Sequence, residues 1–154
     1  EIMIDADVLV ESFKWKKIIK NPKKLIFKTL KKFPKKYRFI NQKVHISILL
    51  TNNKKIKFLN KKFRKKNKPT DILSFPNFDS RNLKKNIKNK EFYLGDIAIS
   101  HEELVKKNKF ELKNGFLKIL IHGFLHLLNF DHKLNKDYKK MNSTEKKIFN
   151  KVKG

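Results

Sequence analysis

The chain has 154 residues, no cysteine and a formal net charge of +26, from 40 Lys and Arg against 14 Asp and Glu. A chain of this length can bury a sizeable core, so a single domain over residues 1–154 is expected. The missing thiols exclude a disulfide framework, a thiolate metal site and a cysteine nucleophile, and the charge points to a polyanionic partner, nucleic acid first and an anionic membrane surface second.

Residues 2–10 alternate apolar and polar as a strand does, and they lack the basic region and apolar run of a signal peptide, so a cytoplasmic protein is expected. After Pro22, apolar positions 25, 26, 27, 30 and 33 form a helical stripe that Pro34 ends. Residues 43–51 read as a β-branched strand. Residues 52–66 read as a helix with Ile56, Leu59 and Phe63 on one face and cations opposite. A short strand over 71–75 closes at Pro76, a residue suited to an edge or a bulge, and a second strand covers 91–100. In the second, Gly95 is read as permitting a bulge or a close backbone approach. The polar stretch between the two is expected to be a long basic loop of a hairpin. Ser100 and Glu103 have capping-box spacing, so a helix starts there. From about 113 to 128 apolar residues surround their helix, as in a buried one, and the run is shorter than the roughly 20 residues of a membrane span. A final amphipathic helix over about 135–152 carries Tyr138, Met141, Ile148, Phe149 and Val152.

The buried helix and its exit contain "HGFLHLLNFDH", with three of the five histidines. His122 and His126 are one helical turn apart and share a face. Asn129 tolerates the left-handed conformation that ends helices, and such a turn brings His132 round to the first two. Coordination would offset the cost of burying imidazoles among apolar side chains. Three imidazoles leave one position of a tetrahedral ion open, the pattern of catalytic zinc, so one Zn2+ per chain is expected. Asp131 has two readings: it replaces His132 in a two-His, one-carboxylate site suited to Fe(II), or, as favoured, it accepts a hydrogen bond that orients an imidazole. The His-x3-His-x5-His frame is also that of metzincin proteases, in which the general-base Glu follows the first His. Gly123 stands there instead, which disfavours peptide hydrolysis, and it is read as clearing space beside the ion for a bulky substrate.

Among the 40 cations only Arg38, Arg64 and Arg81 are arginines, and each is a candidate for a forked contact that Lys cannot make. Thr70 and Asp71 are expected at a turn or strand entry, and Asp96 in a loop-orienting or structural role. His45 and His101 are read as structural or surface histidines; Phe63, Phe75 and Phe78 are either core or platforms for stacked bases, with core favoured. The lysine-rich faces around 54–68 and 84–90 suit contacts with a phosphate backbone.

Together, "HGFLHLLNFDH", "LNKKFRKKNKPTDILSFP" and "YLGDIAIS" resemble the YbeY family of bacterial ribosomal RNA maturation factors, single-domain zinc-dependent endoribonucleases. The resemblance implies an α+β fold, a small and mostly mixed sheet of about four strands flanked by helices, with a metal site at the end of a central buried helix. It implies zinc held by His122, His126 and His132, with Arg64 in the cleft and contributing to activity, so that Arg64 and His122 are the expected catalytic residues. It also implies processing of ribosomal RNA, notably the 3′ end of 16S RNA, and contact with the small ribosomal subunit and an Era-type GTPase. Where the family usually has Gly, this chain has Asn129. Two other functions fit less well: a non-catalytic, zinc-stabilised RNA-binding factor of ribosome assembly, and a metalloprotease-like hydrolase.

Overall fold

The computed structural model describes residues 4–35, 42–130 and 134–153. Four strands form one mixed sheet: β1 (Ile4–Val10), β2 (Lys43–Thr51), β3 (Ile72–Pro76) and β4 (Glu91–Ser100), in the order β1-β2-β4-β3. The first three in that order run parallel, and β3 pairs antiparallel with β4 on the edge. The edge place suits Pro76, whose missing N–H would break an interior ladder. The fold is therefore α+β with a small mixed sheet flanked by helices.

Strand alternation gives the sheet two unlike faces. On β1, Ile4, Ala6 and Val8 are buried and Asp5, Asp7 and Leu9 are not. The first face carries the main core, covered by α1 (Lys14–Ile18), α2 (Pro22–Lys31), α5 (His101–Asn108), α6 (Leu112–Leu127) and α7 (Asn135–Val152). Helix α6 is the most buried of these, with Phe116, Leu120, Ile121, Phe124 and Leu125 inside. Phe124 meets Phe33 edge-on at 5.0 Å and Phe116 meets Trp15 at 5.8 Å, geometries that aromatic quadrupoles favour. Among the described residues, the second face is covered by α3 (Asn53–Arg64), over a small cluster of Ile56, Leu73 and Ala98.

Several local expectations are corrected. Helix α1 was not foreseen: its signal is Trp15, wholly buried and donating Nε1–H to the Thr51 carbonyl at 3.0 Å. The β3–β4 connection is not all loop, since Asp79 caps α4 (Ser80–Asn86) by accepting from Asn82 N–H at 2.8 Å, and Leu83 docks in the core. Helix α5 starts where the capping-box spacing put it, but Ser100 makes no cap: its Oγ donates sideways to Asn53 Oδ1 at 2.6 Å. Phe63 is 55% exposed, not core, and Tyr138 is exposed. Gly95 has φ +148 and sits at a register shift beside the extra residue Leu94; a Cβ there would lie 2.4 Å from the Phe75 carbonyl oxygen. Only glycine fits both that conformation and that approach. No helix among the described residues is long and apolar enough to cross a membrane.

Candidate functional site

The C-terminal end of α6 positions the first two histidines. Their one-turn spacing sets the rings edge-on with centroids 4.6 Å apart and brings Nε2 of His122 to 3.0 Å from Nε2 of His126. The opposite nitrogens are anchored. His126 Nδ1–H donates to the Phe130 carbonyl at 3.0 Å, and His122 Nδ1–H donates to Glu145 Oε1 on α7. A carbonyl and a carboxylate only accept, so both imidazoles carry their proton on Nδ1 and both Nε2 lone pairs turn to one place. Two converging Nε2 donors with Nδ1–H groups held by oxygen form a donor set suited to a cation such as zinc.

The turn after α6 adopts the conformation expected for it. Asn129 has φ +67, its N–H donates to the His126 carbonyl at 2.9 Å, and its side-chain amide donates to the Phe78 carbonyl at 3.0 Å. Asn adopts this conformation at small steric cost and adds a tether to the segment before α4. His132 and Asp131, and also Arg38, lie outside the described residues. Among the described residues no group of three or more His, Cys, Asp or Glu comes together as metal ligands. The histidine pair is thus two members of the expected set.

Glu145 was missed by the sequence reading, which looked for the carboxylate next to the histidines. A signal was present: Met141, Ile148 and Val152 form the buried stripe of α7, and Glu145 lies on that stripe at helical spacing. A carboxylate on an apolar stripe calls for a partner, and His122 supplies it.

Gly123 does not clear space beside the histidines. A Cβ on it would meet Ile72 Cδ1 at 2.6 Å, Ser74 Oγ at 3.1 Å and Ile97 Cδ1 at 3.3 Å, so the missing side chain lets α6 lie close on β3 and β4. Ser74 Oγ donates to the Gly123 carbonyl at 3.3 Å, and Arg64 Nη2–H donates to the Ser74 carbonyl at 2.5 Å. Arg64 is exposed at the end of α3, with its guanidinium carbon 5.2 Å from the centre of the Phe75 ring. Edge strand β3 therefore links Arg64 to the backbone beside His122, two sites 58 positions apart joined by Ser74.

The remaining candidates lie elsewhere. Asp71 accepts from Lys107 Nζ at 3.0 Å and from Thr70 Oγ1 at 3.3 Å, while its carbonyl takes Ser100 N–H at 2.9 Å, all consistent with strand entry. Asp96 is exposed on the α3 face of the sheet, where it accepts from Tyr93 OH, and burial with Asp96 and Asp7 nearby raises the Tyr93 hydroxyl above its ordinary pKa. The structure does not bring Asp71 or Asp96 to the histidine pair. His101 is buried edge-on against Trp15 at 6.0 Å, and that burial holds its pKa below the ordinary value. His45 lies between Glu91 at 2.6 Å and Asp5 at 3.4 Å.

A family model described as Endoribonuclease YbeY matches residues 9–153. Among curated proteins, an endoribonuclease YbeY of Pelagibacter ubique is 51% identical over 98% of this chain and 97% of its own length. An endoribonuclease YbeY of Ehrlichia canis is 35% identical over 97% and 93%. A Thermotoga maritima protein with a structure determined in solution aligns with a TM-score of 0.57 and 27% identity, over 96% of this chain and 89% of its own. With matches that run almost end to end in both members of each pair, this chain belongs to the YbeY endoribonuclease family.

Proposed function

We propose that the chain acts, as one domain, as a zinc-dependent endoribonuclease on single-stranded regions of ribosomal RNA, in maturation of the 16S 3′ end. The observation that carries this reading is the pair of histidines whose Nδ1–H groups are held by Glu145 and the Phe130 carbonyl and whose Nε2 atoms converge. His122, His126 and His132 hold the ion. When bound it supplies Lewis acidity toward the negative charge that develops on a cleaved phosphodiester. Glu145 fixes the tautomer of His122 and compensates charge on its ring. Arg64 spends one N–H on Ser74, which fixes its position, and presents the rest of its fork to a phosphate of the strand being cut. The lysines of α3 hold neighbouring phosphates without reading sequence. Family membership supports the RNA-directed part of this reading; the small ribosomal subunit and an Era-type GTPase as partners, and the cytoplasm as the location, are proposed with it.

The experiment is cleavage of a single-stranded 16S 3′-end fragment by wild type and His126→Ala, with zinc content and far-ultraviolet circular dichroism measured on both. The expected result is about one zinc per wild-type chain, and in the variant a fall in cleavage of at least about 100-fold with fold and RNA affinity kept. A second reading, an ion that serves only to hold the fold of an RNA-binding assembly factor, draws support from the His122–Glu145 contact that ties α6 to α7. It predicts instead that His126→Ala lowers the melting temperature and that wild type cuts no RNA.

A further inference from the structure

The open half of the second sheet face is a groove of about 530 Å3, within the range of small-ligand sites. Strand pairing sets its rows. Leu9, Leu49 and Ala98 stand side by side across β1, β2 and β4, and the next row is Asp7, Ser47, Asp96 and, on β3, Phe75. Helix α3 forms one wall with Leu59 and Phe63, and Phe63 meets Phe75 edge-on at 5.4 Å. Two cations lie over these aromatics: Lys62 Nζ is 5.3 Å from the Phe63 ring centre, and Arg64 stands over Phe75. The groove is thus apolar and part aromatic, with two cations outside it over the rings of its α3 side and two carboxylates along one row of its floor, of which Asp96 also accepts from Tyr93 OH.

That double polarity selects among occupants. A phosphate would be drawn to Lys62 and Arg64 and repelled by Asp7 and Asp96. A basic peptide would suit the two carboxylates and be repelled by the two cations. A nucleotide satisfies both ends, with its phosphate outside on the cations and its base in the groove. Ionised Asp accepts hydrogen bonds and donates none, so the base must turn N–H groups toward it. Guanine offers two adjacent donor groups on one edge, whereas uracil offers one N–H flanked by carbonyls that the carboxylates repel.

We infer that the groove between α3 and strands β1, β2 and β4 is a base-reading subsite that takes an unpaired guanosine of the RNA strand, with Asp7 and Asp96 as its acceptors. This rests on the RNA-cleaving function proposed above and adds to it a preference for sequence. Arg64 sits at the boundary of both sites: its fork is on the edge of β3, with Phe75 on the groove side and Ser74 reaching α6 on the other. A strand crossing that edge would place one base in the groove while a neighbouring phosphate approaches the histidines.

The test is fluorescence anisotropy in the presence of EDTA, which separates binding from cleavage. The probes are three labelled nine-residue RNAs, oligouridylate with guanosine, inosine or uridine at the centre, at about 50 mM salt. The expected order is guanosine tightest, inosine intermediate and uridine weakest, with about tenfold between the ends. Asp7→Asn and Asp96→Asn, both at exposed positions, are expected to remove that preference while leaving uridine binding equal or tighter. Equal binding of all three RNAs to wild type, or a guanosine preference that survives both substitutions, overturns the subsite and leaves the RNA reading standing. Failure of wild type to bind any of them overturns both. A capped Arg-Leu-Arg-Leu-Arg peptide that binds wild type, fails with both variants and is not displaced by the guanosine RNA overturns it in favour of a protein partner.

Discussion

One sheet is finished in two ways. Its first face is closed by several helices, with Trp15, Phe33, Phe116 and Phe124 all within 1% of full burial, and the histidine pair stands at the margin of that core. Its second face is covered, among the described residues, by one cationic helix, with Phe63 55% and Leu9 59% exposed beside Asp7 and Asp96. The contrast separates two demands on a nuclease. Under the proposed function, groups that hold an ion need rigid support, which the packed face would supply, whereas a long flexible polymer needs an accessible track, which the half-covered face would supply.

The sharpest way to break this comparison is to remove one ring from each face. Phe124→Ala is expected to cost about 3–5 kcal/mol in urea unfolding, since it empties a fully packed site. Phe63→Ala should cost less than about 1 kcal/mol, because more than half of that residue is already in water. Similar costs at the two positions would mean that the second face is as tightly built as the first. A smaller effect tests what supports the histidines. Glu145→Gln keeps an acceptor for His122 but loses its charge, and zinc affinity measured against a competing chelator should fall about 10–100-fold. Unchanged affinity would make Glu145 only a tether between α6 and α7.

The smallest effect concerns His101, far from both sites in role. Burial lowers its pKa in the folded chain below the ordinary value of 6.5, so the unfolded chain binds a proton over a window in which the folded chain does not. Its contribution to stability is therefore complete above pH 6.5 and declines as pH falls through the window below it. Urea melts at pH 7.5 and 5.5 should show a smaller acid-induced loss in His101→Gln than in wild type. An equal loss would place the acid sensitivity elsewhere.

Where the amino-acid sequence was legible, a local rule and the tertiary context agreed. Alternation located β1 and a β-branched run located β2; β3 and β4 fell on the two strands read around the polar stretch, and apolar encirclement located α6; Asn129 took the left-handed turn that its side chain allows. The misreadings came where a long-range partner overrode a local preference. Ser100 has the spacing of a cap, yet Asn53 on another helix accepts from its hydroxyl. Gly123 follows the first histidine in a protease-like frame, yet its lack of a side chain is used by Ile72 and Ser74 of β3 and Ile97 of β4, which pack against it. Phe63 belongs to the apolar stripe of α3, but it stands at the wall of the open groove, meeting Phe75 edge-on and leaving more than half of its surface in water.

By itself the sequence determined the strands and most helices, the histidine spacing and the cationic character of α3, because periodicity, helical pitch and charge are properties of neighbouring residues. Only the tertiary structure decided that Glu145 supports His122, that Arg64 reaches the histidine neighbourhood through Ser74, and that Asp7 and Asp96 share a row. Each of those relations joins residues from separate elements. Their proximity follows from strand order and helix packing, which emerge when the whole core is buried at once.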